Sequence, residues 1–241
     1  MITILFEDED FLLLNKPPGL ISVPGAGIGF EQTLAGWVRQ YLGSFIEKVG
    51  EEKRWGLVHR LDKDTSGVMV VAKNARVYEH LKNEFRSFRV KKFYWALVWG
   101  MPQEEYFAVD APVGRHPRQW ARWIVRQDGK RAVTLFHLKK KNLFHRQLGE
   151  EYVFSWLVCR PLTGRTHQIR VHLKALGYPI LGDYYYGGRR KYRIIRSWLK
   201  RPFLHARKLA FYDLNGKLRE FKAPLAADLR WFVRGVTTKK N

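Results

Sequence analysis

The chain holds one cysteine in 241 residues, Cys159, which excludes an intramolecular disulfide and any multi-cysteine zinc or iron–sulfur centre. Because Cys159 ends the apolar run from Tyr152, it reads as a buried core thiol. No apolar run approaches the roughly 20 residues of a membrane span. Glu7, Asp8, Glu9 and Asp10 stand where a secretory leader would carry its apolar segment. A soluble cytoplasmic protein is expected. No Gly/Ser/Pro linker, low-complexity tract or fixed-period repeat divides the sequence. Residues 1–234 are therefore expected to form one monomeric domain, with 235–241 a flexible C-terminal tail.

Acidic residues are also scarce. Against 44 Lys and Arg there are 22 Asp and Glu, giving a net charge of +22, which predicts a polyanionic partner. The cations cluster in Arg86 to Lys92, Arg115 to Arg131, Lys139 to Arg146 and Arg189 to Arg201. Taken singly, each run reads as a solvated face. Several alternate with aromatics (Phe88, Phe93, Tyr94; Trp120, Trp123; Tyr192, Trp198), the mixture that phosphate neutralisation and base stacking require. A membrane surface would need a continuous apolar stripe besides. Only Tyr192, Ile195, Trp198 and Leu199 could form one, and that short face is more simply a helix packed on the core.

The most informative run is His59-Arg60-Leu61-Asp62-Lys63-Asp64-Thr65-Ser66-Gly67, with one carboxylate, Asp62, set among cations at a strand-to-loop junction. Asp62 is a candidate nucleophile, kept ionised by His59, Arg60 and Lys63. Trp55, Leu57 and Val58 lead into the run, and the strand-like Val68 to Val71 follows Gly67, a residue suited to positive φ. Asp62-Lys63-Asp64-Thr65 also satisfies the DxDxT pattern of Asp-nucleophile phosphatases. Those enzymes need a later acidic pair for magnesium, whereas the downstream acids here are scattered and only Glu150 and Glu151 adjoin. Neither a glycine-rich phosphate loop nor a D-F-G triplet is present, which excludes a protein kinase.

Periodicity predicts strands at Ile2 to Phe6, Phe11 to Leu14, Lys92 to Trp99, Arg131 to Leu138 and Tyr152 to Arg160. It predicts helices at Thr33 to Leu42, closed by Gly43, at Ala75 to Arg86 with Val77, Leu81 and Phe85 on one face, and at Thr166 to Leu176, stopped by Gly177. Phe211 to Phe221 reads as a hairpin around a two-residue Asn215-Gly216 turn. Strands dominate without βαβ alternation, so the expected class is α+β with a mainly antiparallel sheet.

Taken together, the motifs resemble those of the RluA-type RNA pseudouridine synthases. His-Arg-Leu-Asp, two free positions and Thr-Ser-Gly is that family's signature. Asn15-Lys16-Pro17-Pro18-Gly19-Leu20 is similar to its Asn-Lys-Pro-x-Gly opening, and Lys92 to Gly100 to its Lys-x-Tyr-x-Ala strand. Thr163 to Leu173 with Gly182-Asp183 is similar to its third motif, and Leu204-His205-Ala206 to its late Leu-His-Ala element. The blocks fall in family order from about Ile4 to Pro224. Many members carry an N-terminal S4-type module; with the first block opening at Asn15, a stand-alone catalytic domain is expected.

The resemblance implies a mixed, mainly antiparallel central sheet with flanking helices and an RNA-binding cleft. It implies isomerisation of specific uridines to pseudouridine in structured ribosomal or transfer RNA, with no cofactor and no metal. Asp62 occupies the position of the catalytic carboxylate, Tyr94 that of the tyrosine stacking on the target base and handling a proton, and Arg165 that of the arginine paired with the carboxylate. His59, Arg60, Thr65 and Ser66 are expected to shape the loop and contact RNA. Arg115, His116, Arg118 and Arg122, in the stretch Arg115 to Trp123 that includes Gln119 and Trp120, look like the family's variable RNA-gripping loop. His167 and His172 lie off the i, i+4 spacing of helical metal ligands, which points to packing or RNA contact. An RNA-binding assembly factor with secondary catalysis, and an Asp-nucleophile phosphatase, are the alternatives.

Overall fold

Four consecutive apolar residues, Phe11 to Leu14, leave no polar face, so a strand built from them must be covered on both sides. All four are buried. In the computed structural model, which describes residues 1–25, 27–52 and 54–238, they open β2 (Phe11–Lys16), which follows β1 (Thr3–Glu7) and precedes α1 (Leu34–Leu42), β3 (Ser66–Ala72) and α2 (Ala75–Arg86). Next come β4 (Lys91–Trp99), β5 (Tyr106–Asp110), β6 (Val113–Arg115), β7 (Trp123–Val125), β8 (Val133–His145) and β9 (Phe154–Pro161). The order ends with α3 (Gln168–Ala175), α4 (Arg189–Ile195), β10 (Leu204–Tyr212), β11 (Leu218–Lys222), α5 (Ala227–Arg234) and β12 (Val236–Thr238). The chain forms two compact units, Met1–Lys92 with Ala206–Pro224, and Phe93–His205 with the chain from Leu225 onward. Each is assembled from segments distant in sequence, so no linker marks the boundary. The class is α+β with a mostly antiparallel sheet, as expected.

In the first unit β2 pairs antiparallel with β1 and with β3, from Phe11↔Ala72 to Lys16↔Gly67. The helices start where side chains satisfy orphan N–H groups: Thr33 accepts from Gly36 and Asn74 from Val77. Helix α2 buries Val77, Tyr78 and Leu81, close to the predicted face. Gly67 has φ of +128°, and a Cβ there would collide with the backbone of Ala206 in β10. That close approach explains the glycine of the signature. β10 and β11 form the expected hairpin, but their last pair is Tyr212↔Leu218 and the turn is wider than two residues. Asp213 donates its N–H to the Lys217 carbonyl (2.9 Å), and its Oδ1 accepts from the N–H groups of Asn215 (3.0 Å) and Lys217 (2.9 Å). An aspartate that caps its own turn thus displaces the Asn-Gly pair to the tip.

In the second unit β9 pairs antiparallel with β4 and β8, β5 and β12 add to β8, and β6 pairs β7. Its core gathers Leu97, Phe154, Leu157, Cys159, Leu173, Phe203 and Phe232, among others. β8 continues well past the predicted Leu138. The basic run from Lys139 lies within it, and Lys139, Lys140 and Lys141 stand exposed where the register slips and Asn142 takes φ of +56°. At the expected tail, Val236–Thr238 is strand β12, and residues 239–241 lie outside the described residues. Among the described residues no helix is long and apolar enough to cross a membrane.

Gly67→Ala should cost about 3 kcal/mol, combining left-handed strain with overpacking against Ala206. Gly177→Ala, at φ of +84° with open space around it, should cost about 1 kcal/mol. Urea unfolding measures both, and equal losses would show that Gly67 is needed only for its φ.

Candidate active site

Asp62 lies in an irregular stretch four residues ahead of β3, and the apolar approach from Trp55 to Val58 is a turn bridged to β3 at Leu57↔Val71, with the Ala72 N–H donating to the Gly56 carbonyl (2.9 Å). The loop is therefore fixed by hydrogen bonds from its neighbours. Ser22 is buried; its hydroxyl donates to the Leu61 carbonyl (2.8 Å) and accepts from the Leu61 N–H (3.1 Å), gripping the residue beside Asp62 on both sides. Lys16 is 0% exposed, and its ammonium donates to the carbonyls of Pro17 (2.9 Å), Leu20 (2.7 Å) and Lys63 (3.0 Å). The Lys63 carbonyl also accepts from the Gly19 N–H (2.9 Å), and the Thr65 N–H closes a turn on the Asp62 carbonyl (3.1 Å). Residues 61 to 65 are thus tied down while Asp62 itself stays half-buried. The Asn-Lys-Pro-x-Gly block is the clamp of the Asp62 loop.

His59 corrects an expectation. Its ring stacks on Phe85 of α2 (centroids 4.7 Å apart, 19° between planes), and its Nε2 accepts from the Val70 N–H (3.1 Å). Burial, with Lys92 and Arg54 as further causes, lowers its pKa to about 3. His59 is therefore neutral at pH 7, with its proton on Nδ1, and supplies no charge to Asp62. Arg60 and Lys63 are exposed. Thr65 and Ser66 are buried, so both side chains are withdrawn into the loop's exit toward β3.

In the second unit Tyr94 is half-buried on β4, in register with Cys159, whose thiol pKa is raised by burial. The stretch Thr163 to Leu173 is organised by a glutamine that sequence reasoning passed over. Gln168 Oε1 accepts from the Thr163 hydroxyl (2.7 Å) and the Arg165 N–H (2.9 Å), while its Nε2 donates to the Val133 carbonyl (3.0 Å) and Thr134 Oγ1 (2.9 Å). This fixes the backbone of Arg165, whose Nε donates to the Arg131 carbonyl (3.0 Å). The helix begins later than predicted, at Gln168, because His167 takes φ of +56°. His167 Nδ1 lies 2.8 Å from the Tyr186 hydroxyl, which also accepts from the Trp123 N–H (3.0 Å). His172 is wholly buried, with Nε2 3.0 Å from the Ala111 carbonyl and Nδ1 2.9 Å from the Thr134 hydroxyl. That pattern requires the proton on Nε2. Arg170 and Asp183 form a buried bidentate pair (2.7 and 2.9 Å), with Asp183 Oδ1 also accepting from the Tyr185 and Tyr186 N–H groups.

The stretch Arg115 to Trp123 joins the two-stranded sheet β6–β7. His116 Nδ1 accepts from the N–H groups of Arg118 and Gln119 (3.1 Å each), so it shapes the loop. The Arg115 guanidinium lies 3.8 Å from the Trp120 ring centroid and 5.1 Å from that of Trp123, and Trp120 is 78% exposed. Arg118 is exposed and Arg122 half-buried. Among the described residues no group of three or more His, Cys, Asp and Glu is placed to hold a metal ion.

The chain belongs to the RNA pseudouridylate synthase family, whose model matches residues 10–175. An uncharacterized RNA pseudouridine synthase of Aquifex aeolicus (strain VF5) is 40% identical over 186 residues, covering 77% of this chain and 56% of that protein. The ribosomal large subunit pseudouridine synthase D of Haemophilus ducreyi (strain 35000HP) is 35% identical over 247 residues, covering 98% of this chain and 71% of that protein. The chain thus spans little more than half the length of the Aquifex relative. Among solved structures, human RNA pseudouridylate synthase domain containing 1 superposes with a TM-score of 0.74 at 28% identity, covering 93% of this chain and 83% of that one.

Lys16→Met should leave three carbonyls without their shared charged donor and lower stability by about 3 kcal/mol. Hydrogen exchange at the Gly19 amide should accelerate together with the loss. Wild-type exchange there would show that Lys16 does not hold the loop.

His59 also sets a pH dependence. Its folded pKa of about 3 lies below the ordinary value of 6.5, so between those values the unfolded chain takes up a proton that the native state refuses. The stability it contributes is complete above pH 6.5 and falls as the pH drops toward 3. NMR should show a neutral, Nδ1-protonated ring at pH 5, and His59→Gln should flatten the acid limb of stability. A ring already cationic at pH 5 would overturn the assignment.

Proposed function

We propose that this chain isomerises specific uridines to pseudouridine in structured RNA, with Asp62 as the catalytic carboxylate and residues 1–234 acting as one catalytic domain. The observation that carries the reading is the loop of Asp62. Backbone clamps from Ser22, Lys16 and Gly19 fix the residues on either side of a half-buried aspartate. Preorganisation of this kind favours a group that must meet a substrate in one geometry.

The reaction is redox-neutral. The uracil N1 to C1′ bond breaks, the base turns, C5 bonds to C1′, the C5 proton leaves and N1 takes one up. The carboxylate of Asp62 acts at the sugar or base. Tyr94 stacks on the target base and carries a proton through its hydroxyl, and Arg165 assists through the planar two-pronged guanidinium that its motif supplies. The target uridine leaves its stack, at least cost in a loop or bulge. Arg60, Arg118 and Arg122 contact phosphates, while Arg115 and Trp120 offer a combined cation and stacking face. Ribosomal RNA of the large subunit is the favoured substrate class, supported by the name of the Haemophilus relative.

Asp62→Asn should abolish tritium release from RNA carrying 5-tritiated uridine and leave the unfolding curve and RNA affinity nearly unchanged. Activity within about tenfold of wild type, about 1.4 kcal/mol of barrier, would remove Asp62 from the chemistry. Wild-type turnover should survive EDTA on prefolded RNA, whereas strict magnesium dependence would favour a phosphatase. Arg165→Lys should lower turnover far more than RNA affinity.

A further inference from the structure

Helix α2 ends in a way its sequence makes costly. The Arg89 N–H bonds to the Glu84 carbonyl (3.0 Å) and the Phe88 N–H to the Phe85 carbonyl (3.3 Å), the paired closure that ordinarily places glycine in the left-handed position. Here that position is Phe88, at φ of +59°. A left-handed bulky residue costs about 1–2 kcal/mol. The other non-glycine residues at positive φ have a local account. Trp55 packs on Phe30, His167 meets the Tyr186 hydroxyl, and Asn142 is of a type that tolerates this conformation. Phe88 instead leaves its ring 56% exposed, with no aromatic or cation stacked on it among the described residues. A local rule broken without a packing gain points to function.

The surroundings of the ring say what it would meet. Arg86, Ser87 and Arg89 are exposed around it, and Asn83, Arg86, Ser87 and Arg89 line an open depression of about 440 Å³. Glu84, buried, holds the Arg89 guanidinium through Nε (2.6 Å) and one Nη (2.5 Å), which fixes its plane while the side chain remains 58% exposed. Lys91 and Lys92 follow. One turn earlier, Phe85 of the same helix stacks on His59, three residues before Asp62. An exposed ring flanked along the chain by two exposed arginines is suited to an unpaired base and its flanking phosphates. It suits a lipid surface poorly, since no apolar stripe adjoins it.

We infer that the turn Arg86-Ser87-Phe88-Arg89 is an RNA subsite of the first unit, in which Phe88 stacks on an unpaired base near the target uridine and Arg86 and Arg89 hold the phosphates beside it. The subsite rests on the isomerase reading for its substrate and extends it to a surface outside the motifs. The test is Phe88→Gly. Glycine suits the left-handed position, so the variant should melt about 2–4 °C higher than wild type. It should also bind a fluorescein-labelled RNA hairpin with an unpaired uridine-rich loop about tenfold more weakly, with little change for the same duplex lacking the loop. Arg86→Ala should lower the logarithmic salt slope of hairpin binding by about 0.7. A lowered melting temperature would make the ring a packing element and overturn the subsite, as would unchanged hairpin binding. Tritium release by the wild-type chain is measured in parallel. Turnover with unchanged binding by Phe88→Gly overturns the subsite alone. Absence of turnover overturns the isomerase reading, while the binding result still decides the subsite.

Discussion

A lysine ammonium cut off from water holds the loop of Asp62 in place. Removing the Lys16 charge from solvent costs several kcal/mol, and three hydrogen bonds from a charged donor, each worth about 1.5–3 kcal/mol, offset that cost only because all three carbonyls converge on it. Those carbonyls belong to Pro17, Leu20 and Lys63, so satisfying one cation forces the chain after β2 against the loop after Leu61. The Ser22 hydroxyl, donor and acceptor to the same residue, removes what freedom remains. Asp62 is thereby presented by backbone that has nowhere else to go.

The second unit reaches a comparable rigidity through neutral groups. Gln168 uses both lone-pair sites of its oxygen and both hydrogens of its nitrogen, so the turn carrying Arg165 is fixed without spending an ion. His172 and Thr134 extend the network to Ala111, and the Tyr186 hydroxyl links the start of α3 to β7. A network whose members are all satisfied specifies one arrangement, whereas one missing partner would leave a buried group at a cost of about 1–3 kcal/mol. The buried Arg170 is likewise matched by a bidentate carboxylate.

This economy sorts the excess of positive charge. Cations inside the molecule carry identified structural partners: Lys16 its carbonyls, Arg170 its Asp183, and Arg201 the carboxylate of Asp228. Those of the exposed runs, at Arg86 to Arg89, Arg118 and Lys139 to Lys141, lie on the surface beside aromatic rings or a strand irregularity. A polyanion would therefore meet paired arginines and rings, such as Arg115 at the end of β6 over the exposed Trp120 ring of the following loop.

Much of the local structure was legible because it obeys local rules. The period of Val77 and Leu81 gave α2, the apolar runs gave β2 and β3, and Thr33 and Gly43 bracket α1 as helix punctuation should. The motif order gave the family, and the single cysteine and surplus cations narrowed the chemistry. What escaped were properties set by neighbours remote in sequence. His59 reads as a cation, yet the Val70 N–H and the Phe85 ring make it a neutral acceptor. Lys16 is legible only as a member of the Asn-Lys-Pro-x-Gly block, and its burial against three carbonyls is set by the loop that carries Lys63. Asn215-Gly216 reads as a two-residue turn, but the Asp213 carboxylate widens it. Sequence by itself determined which elements form and which residues are chemically equipped. Tertiary structure alone decided which of those residues carry charge, face solvent or are consumed as scaffolding, because hydration and hydrogen-bond partners belong to the surroundings of a side chain and not to its type.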